Sequence, residues 1–113
     1  MSLNSLLITE QNPDFYLNEF RKVLETHLLT LRASRKTQTV VLSSVQGEVY
    51  NGDLYGLLQS LNVPIYAHWI TMRANGFKSA TDINQDTQSI LIPDMSELSL
   101  IHQMWKSSIS SSI

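Results

Sequence analysis

The chain has 113 residues, 42% of them apolar, which is the length and composition of one domain with a modest core and argues against disorder throughout. Ten acidic against eight basic side chains give a net charge of −2. That balance argues against a general nucleic-acid binder, which needs a basic face to displace counterions from phosphates. There is no cysteine, so disulfide frameworks, thiolate nucleophiles and cysteine-based zinc sites are excluded.

Met1 to Glu10 is too short for a secretory signal peptide and lacks its basic start, and no apolar run approaches the length of a membrane span. Asn12-Pro13-Asp14 is a strong helix start: a cap residue, proline at the first helical position and an acid in the first turn. Apolar residues at Tyr16 or Leu17, Phe20, Val23 or Leu24, Leu28 and Leu31 predict a helix to about Ala33. Arg32, Arg35 and Lys36 near its end read as a solvated cationic terminus rather than a phosphate site. The helix carries its own apolar face. It is expected to lay one edge on its own sheet and the rest on a partner chain.

Thr37 to Ser43 is rich in β-branched residues and predicts a strand. Val45 to Tyr50 predicts a second, shorter strand, with Gln46-Gly47 as a bulge or turn. Asp53 is a good N-cap, and Leu54, Leu57, Leu58 and Leu61 follow on one face of a helix. Asn62-Val63-Pro64 breaks the chain, and Pro64 suits the first position of a second helix whose apolar side holds Ile65, Trp69 and Met72. Asn75-Gly76 stops that helix. A polar loop from Lys78 to Gln88 leads to a strand, Ser89 to Ile92, closed by Pro93. Asp94 with Glu97 has the spacing of a capping box, and Leu98, Ile101, Met104 and Trp105 predict a helix ending near Lys106. Ser107 to Ile113 has the composition of a flexible tail, expected to be ordered only where neighbouring subunits hold it. The organisation is therefore an N-terminal segment and helix (1–36), a central α+β module (37–93) and a C-terminal helix and tail (94–113).

The order strand, helix, helix, strand resembles the LysM module. Gly52-Asp53-Leu54-Tyr55 resembles the Gly-Asp-Thr-Leu that opens a LysM unit, with the threonine absent. Leu57-Leu58 stands where the family has Ile-Ala, and Asn62-Val63-Pro64 separates the helices as it does there. Asn75-Gly76-Phe77 resembles the family's Asn-Gly-Leu, and Ile90-Leu91-Ile92-Pro93 its closing Leu-x-Ile-Pro strand. Asp86-Thr87 departs from the usual Gly-Gln. Trp69 through Asn75 further resembles the Trp-x5-Asn run of LysM-like proteins in the baseplate wedge of contractile-tailed phages and related injection machines.

The resemblance implies a LysM-like βααβ core in which Glu48 to Tyr50 pairs with Ile90 to Ile92. Thr37 to Ser43 then adds at the sheet edge or to another subunit. It implies a virion component, assembled in the host cytoplasm, whose partners are other baseplate or tail subunits. The expected assembly contacts are exposed aromatic or large apolar residues: Phe15, Tyr16, Phe20, Trp105 and Ile109. The rival reading is a carbohydrate-binding module for N-acetylglucosamine polymers such as peptidoglycan or chitin. Its shallow groove would be formed by Gly52, Asp53, Leu54 and Tyr55 with Gly76, Phe77, Lys78 and Ser79.

No enzymatic activity, cofactor or metal is expected. His27, His68 and His102 lack metal-ligand spacing. The four glycines match no nucleotide fingerprint, and no serine sits in a nucleophile elbow. Asp53 reads as a cap, and Asp82 and Asp86 as solvated loop residues, not as a glycosidase pair.

Overall fold

The computed structural model describes residues 12–111. After a 3-10 turn at Pro13–Tyr16 come α1 (Asn18–Thr26), α2 (Leu28–Ala33), β1 (Gln38–Val41), α3 (Ser44–Val49) and α4 (Leu54–Ser60). A second 3-10 turn, Ile65–Ala67, leads to α5 (His68–Ala74), β2 (Ser89–Ile92) and α6 (Met95–Ser111). The class is mixed helix and strand, with one two-stranded antiparallel sheet among the described residues.

The single N-terminal helix predicted from the caps is broken twice, and both breaks have a local cause. Phe15 and Phe20 are five residues apart, about 140° around a continuous helix, so one helix could not bury both on one side. The extended backbone at Leu17 lets the two rings meet edge to face at 4.9 Å. At the second break the Thr26 hydroxyl donates to the Val23 carbonyl at 2.6 Å, and the His27 ring reaches the same oxygen at 2.9 Å. These side chains take an acceptor from the helical ladder. The His27 N–H turns to Leu24 instead, and α2 starts afresh.

Phe20, Leu24 and Leu31 are fully buried, and α1 and α2 pack on α5 while α1 also packs on α6. The N-terminal helices thus cover their own chain's core. They lie on helices rather than on the sheet edge that the apolar face suggested. Among the described residues the core is one cluster drawn from 15–101, including Leu57, Leu58 and Ile70, with Leu98 and Ile101 contributed by α6.

The sheet corrects the predicted pairing. β2 is bonded to β1, in the register Gln38↔Ile92, Thr39↔Leu91, Val40↔Ile90, Val41↔Ser89. Glu48 to Tyr50 does not pair with Ile90 to Ile92, because Ser44–Val49 is helix α3. Its start is a full capping box: the Gln46 N–H donates to Ser43 Oγ at 3.1 Å, and the Ser43 N–H donates to Gln46 Oε1 at 2.9 Å. Two orphan donors are satisfied reciprocally, which outweighs the strand preference of Val45 and Val49. Gly47 is buried for close approach, not for a bulge. A Cβ there would stand 2.9 Å from the Gln85 carbonyl oxygen.

The helix pair follows the sequence closely. Asp53 caps α4 through the Gly56 N–H at 3.0 Å. Both helices end in the same double turn. Val63 N–H returns to Leu58 O and Asn62 N–H to Gln59 O, with Asn62 at φ 64; Phe77 N–H returns to Met72 O and Gly76 N–H to Arg73 O, with Gly76 at φ 77. This is the Schellman arrangement, which needs one left-handed residue and ties down the last carbonyls. Pro64 does not begin α5 as predicted; it is extended, with ψ 143, and precedes the 3-10 turn.

Helix α6 also differs from expectation. Asp94 caps it through the Ser96 N–H at 3.1 Å. The Glu97 carboxylate does not close a capping box; it accepts from the Ser34 hydroxyl and so pins α2's end to α6. The helix runs on to Ser111 rather than stopping near Lys106. Serine is a middling helix former, and no glycine or proline interrupts the stretch. The last two residues of the predicted tail lie outside the described residues.

Candidate functional site

The loop before α4 is bonded to the segment that follows Ser79. The Gly52 N–H donates to Ile83 O at 2.8 Å, and the Leu54 N–H donates to Ala80 O at 3.0 Å. These bonds use backbone donors of the loop before α4 within the chain. The Lys78 and Ser79 N–H groups are spent too, on Asp82 Oδ2 at 2.8 and 3.1 Å. Leu54 is fully buried. Tyr55 is half-buried, with its hydroxyl directed at Met72 Sδ, 3.7 Å away, and burial raises its pKa against a smaller lowering effect of Arg21. Phe77 is half-buried against the core, while Asp53, Gly76, Lys78 and Ser79 are exposed. The eight residues make a closed loop junction with a polar rim.

Of the five expected assembly contacts, two are core residues. Phe15 is 2% exposed and Phe20 0%, so neither is available to a partner. The sequence pattern placed Phe20 on a helix face without showing that the chain's own α5 and α6 would cover that face. Trp105 is half-buried, its ring 4.9 Å from that of Phe20. Tyr16 and Ile109 are exposed. The larger apolar surface is elsewhere, at Val41, Val45 and Val49 and at Leu100 and Met104. Helical spacing could have found both groups, since Val45 and Val49, and Leu100 and Met104, are each four residues apart.

Trp69 forms part of a third surface. The Arg21 guanidinium lies 4.8 Å above its ring and 5.9 Å from that of Tyr16, and Arg21 Nε donates to the Phe15 carbonyl at 3.1 Å. Beside it Arg73 Nε meets Glu25 Oε1 at 2.6 Å, joining α5 to α1. This half-buried shelf holds the N-terminal helices in place. Asn75 ends the same helix. Its Nδ2 donates to Thr71 O at 2.7 Å and Leu91 O at 2.8 Å, and its Oδ1 accepts from the Leu91 N–H at 2.7 Å. The side-chain amide thus acts as a short third strand on the outer edge of β2.

The three histidines are kept apart by different partners. His27 bonds Val23 O, His102 Nε2 meets Asp14 Oδ2 at 2.8 Å, and His68 Nε2 donates to Val63 O at 2.9 Å. His68 is buried, and burial holds its pKa below the ordinary 6.5, against the opposing pull of the Val63 carbonyl. The unfolded chain therefore takes up this proton first as pH falls below about 6.5. Stability tied to neutral His68 is present above that pH and is lost as pH falls towards the folded-state value. Urea midpoints at pH 7.5 and 5.5 should differ more for the wild type than for His68→Gln, whose amide can still donate to Val63. Equal differences would show that His68 does not carry this slope.

No described helix is long and apolar enough to cross a membrane. Among the described residues, no group of three His, Asp or Glu side chains is arranged to hold a metal ion. Comparison of the chain with protein-family models, with curated proteins and with solved structures gives no match.

Proposed function

We propose that this chain is a structural assembly protein, a LysM-like component of a phage baseplate or tail or of a related injection machine, acting by contact and without turnover. The observation that carries the choice between contact and glycan binding is the loop junction. Four of its backbone donors, at Gly52, Leu54, Lys78 and Ser79, are already bonded within the chain. A sugar polymer would find few of the hydrogen bonds that fix its orientation there. Exposed valines, Leu100 and Met104 instead supply the apolar contact that protein partners use.

The LysM-like part of the reading rests on the quoted motifs and on the chain order, in which α4 and α5 come between the two strands of one antiparallel sheet. It departs from the family at the absent threonine after Asp53, at Asp86-Thr87, and where α3 stands between the first strand and Gly52-Asp53. The Trp69 to Asn75 run supports the baseplate branch, since Asn75 ties the second helix to the closing strand. On this reading the protein resides in the virion.

Two measurements test it. Proteomics of purified particles encoded beside this gene should find the chain at a fixed copy number relative to other tail proteins. Its absence from intact particles would overturn the reading. In parallel, the purified chain should stay in the supernatant with insoluble peptidoglycan. Retention abolished by Tyr55→Ala or Phe77→Ala would establish the glycan-binding alternative instead.

A further inference from the structure

Among the described residues, the two-stranded sheet has one covered edge and one open edge. The Leu42 N–H donates to Gln88 O at 2.9 Å, so Leu42, and by the alternation of an antiparallel ladder Val40 and Gln38, turn their backbone groups towards β2. Thr39 and Val41 turn theirs away. Leu91, opposite Thr39, likewise faces outward, but its N–H and C=O are held by Asn75. Among the described residues nothing bonds the outward N–H and C=O groups of Thr39 and Val41. The open edge also lacks the usual protection, having no proline, no charge and no bulge over Gln38–Val41. Val41 in the strand is 77% exposed, and Val45 and Val49 of the following helix α3 are 66% and 63% exposed.

We propose that a second copy of this chain occupies this edge, β1 pairing antiparallel with its counterpart about a two-fold axis at Val40. Thr39 of each copy then faces Val41 of the other. The two free N–H groups and two free carbonyls of each edge satisfy one another, and a continuous four-stranded sheet results. The edge is self-complementary in length and pattern, as a two-fold interface requires. Charge selects the antiparallel sense. Arg35 and Lys36 are exposed just before β1. Beyond its other end lie exposed Glu48 and Asp86, in α3 and in the loop that α3 touches through Gly47 and Gln85. Among the described residues Arg35, Glu48 and Asp86 have no ion-pair partner. Antiparallel pairing sets each basic end against the other copy's acidic end; parallel pairing would set like charges together. On the solvent face, Thr39 and Val41 of both copies form cross-strand β-branched pairs. The proposal goes beyond the assembly reading and does not rest on it.

So short an edge buries little area, which places the dimer at the weak end of specific interfaces. Sedimentation equilibrium from about 10 μM to about 1 mM brackets that affinity range. The wild type should pass from monomer to dimer across it. Thr39→Pro removes only an outward N–H, which leaves the β1–β2 ladder intact, and Val41→Lys puts a charge on the edge. Both should remain monomeric with an unchanged far-UV spectrum. Amide exchange gives a readout without substitution: Thr39 and Val41 should gain protection with concentration, while Leu91 is protected throughout. The proposal is overturned by a wild type that stays monomeric to the top concentration, which would leave the edge to another protein's strand. It is equally overturned by a dimer whose Thr39 and Val41 amides exchange at the monomer's rate, or one that folded Thr39→Pro and Val41→Lys form as tightly as the wild type.

Discussion

Phe20→Ala should destabilise the isolated chain by about 3–5 kcal/mol, the range for truncating a fully buried aromatic ring. Phe20 has no exposed surface, and its ring meets Phe15 at 4.9 Å, His102 at 5.2 Å and Trp105 at 4.9 Å. It therefore joins the N-terminal 3-10 turn, α1 and α6 at one point. Removing it leaves a cavity and loosens the aromatic cluster that seats α6 against α1. The loss should appear as a lower urea midpoint in the purified chain with no partner present, and as faster amide exchange in α1 and α6. The same experiment separates a core residue from an interface residue. A Phe20→Ala chain as stable as the wild type, but deficient in assembly, would return Phe20 to the role its place on an amphipathic face suggested. Tyr16→Ala is the comparison, because Tyr16 is exposed and should change stability by less than about 0.5 kcal/mol.

The contrast between Phe20 and Asp53 shows where sequence reasoning holds. Caps and breaks are local. The Asp53 carboxylate reaches the Gly56 N–H whatever lies beyond the helix, and Asn62-Val63-Pro64 and Asn75-Gly76 end their helices through left-handed residues that the sequence names directly. The helix pair and the closing strand were therefore legible. Partner choice is not local. An amphipathic face announces that it will be covered, but not whether α5 and α6 of the same chain will cover it. The stretch from Val45 to Tyr50 is a third case, in which two local rules disagreed. Valine and tyrosine favour a strand, while Ser43-x-x-Gln46 is a capping box and Val45 with Val49 has helical spacing. Once that segment is helical, β1 becomes the partner of β2.

The candidate site divides the same way. The motif resemblance set Gly52 to Tyr55 beside Gly76 to Ser79, and the structure bonds Gly52 and Leu54 to Ile83 and Ala80, just beyond Ser79. That their donors would be spent did not follow from the motif, because the acceptors are Ala80, Ile83 and Asp82 in a polar loop without periodicity. The free edge of β1 was equally invisible. It follows from β1 pairing with β2 on one side only among the described residues, while Asn75 covers the opposite edge through a contact across 16 positions of sequence.

Asn75→Ala is expected to cost about 2–3 kcal/mol, because it strands the Leu91 N–H and carbonyl in a half-buried position as well as deleting three hydrogen bonds. The loss should be local before it is global. Amide exchange at Leu91 should accelerate by more than exchange at Val40, whose N–H stays inside the β1–β2 ladder. Asn75→Asp sharpens the argument, since it keeps the shape and the acceptor for the Leu91 N–H but turns a carboxylate oxygen towards the carbonyls of Thr71 and Leu91. At neutral pH it should be no more stable than Asn75→Ala. The folded chain disfavours that charge, so the aspartic acid's folded-state pKa should lie above the unfolded value of about 3.9. Stability is then fully recovered only below that value and is lost as pH rises through the folded one. Relative to Asn75→Ala, then, Asn75→Asp should gain stability on acidification, when the protonated carboxyl can donate to one of the two carbonyls. If both variants keep the wild-type urea midpoint, the side-chain amide is not what holds β2 to α5.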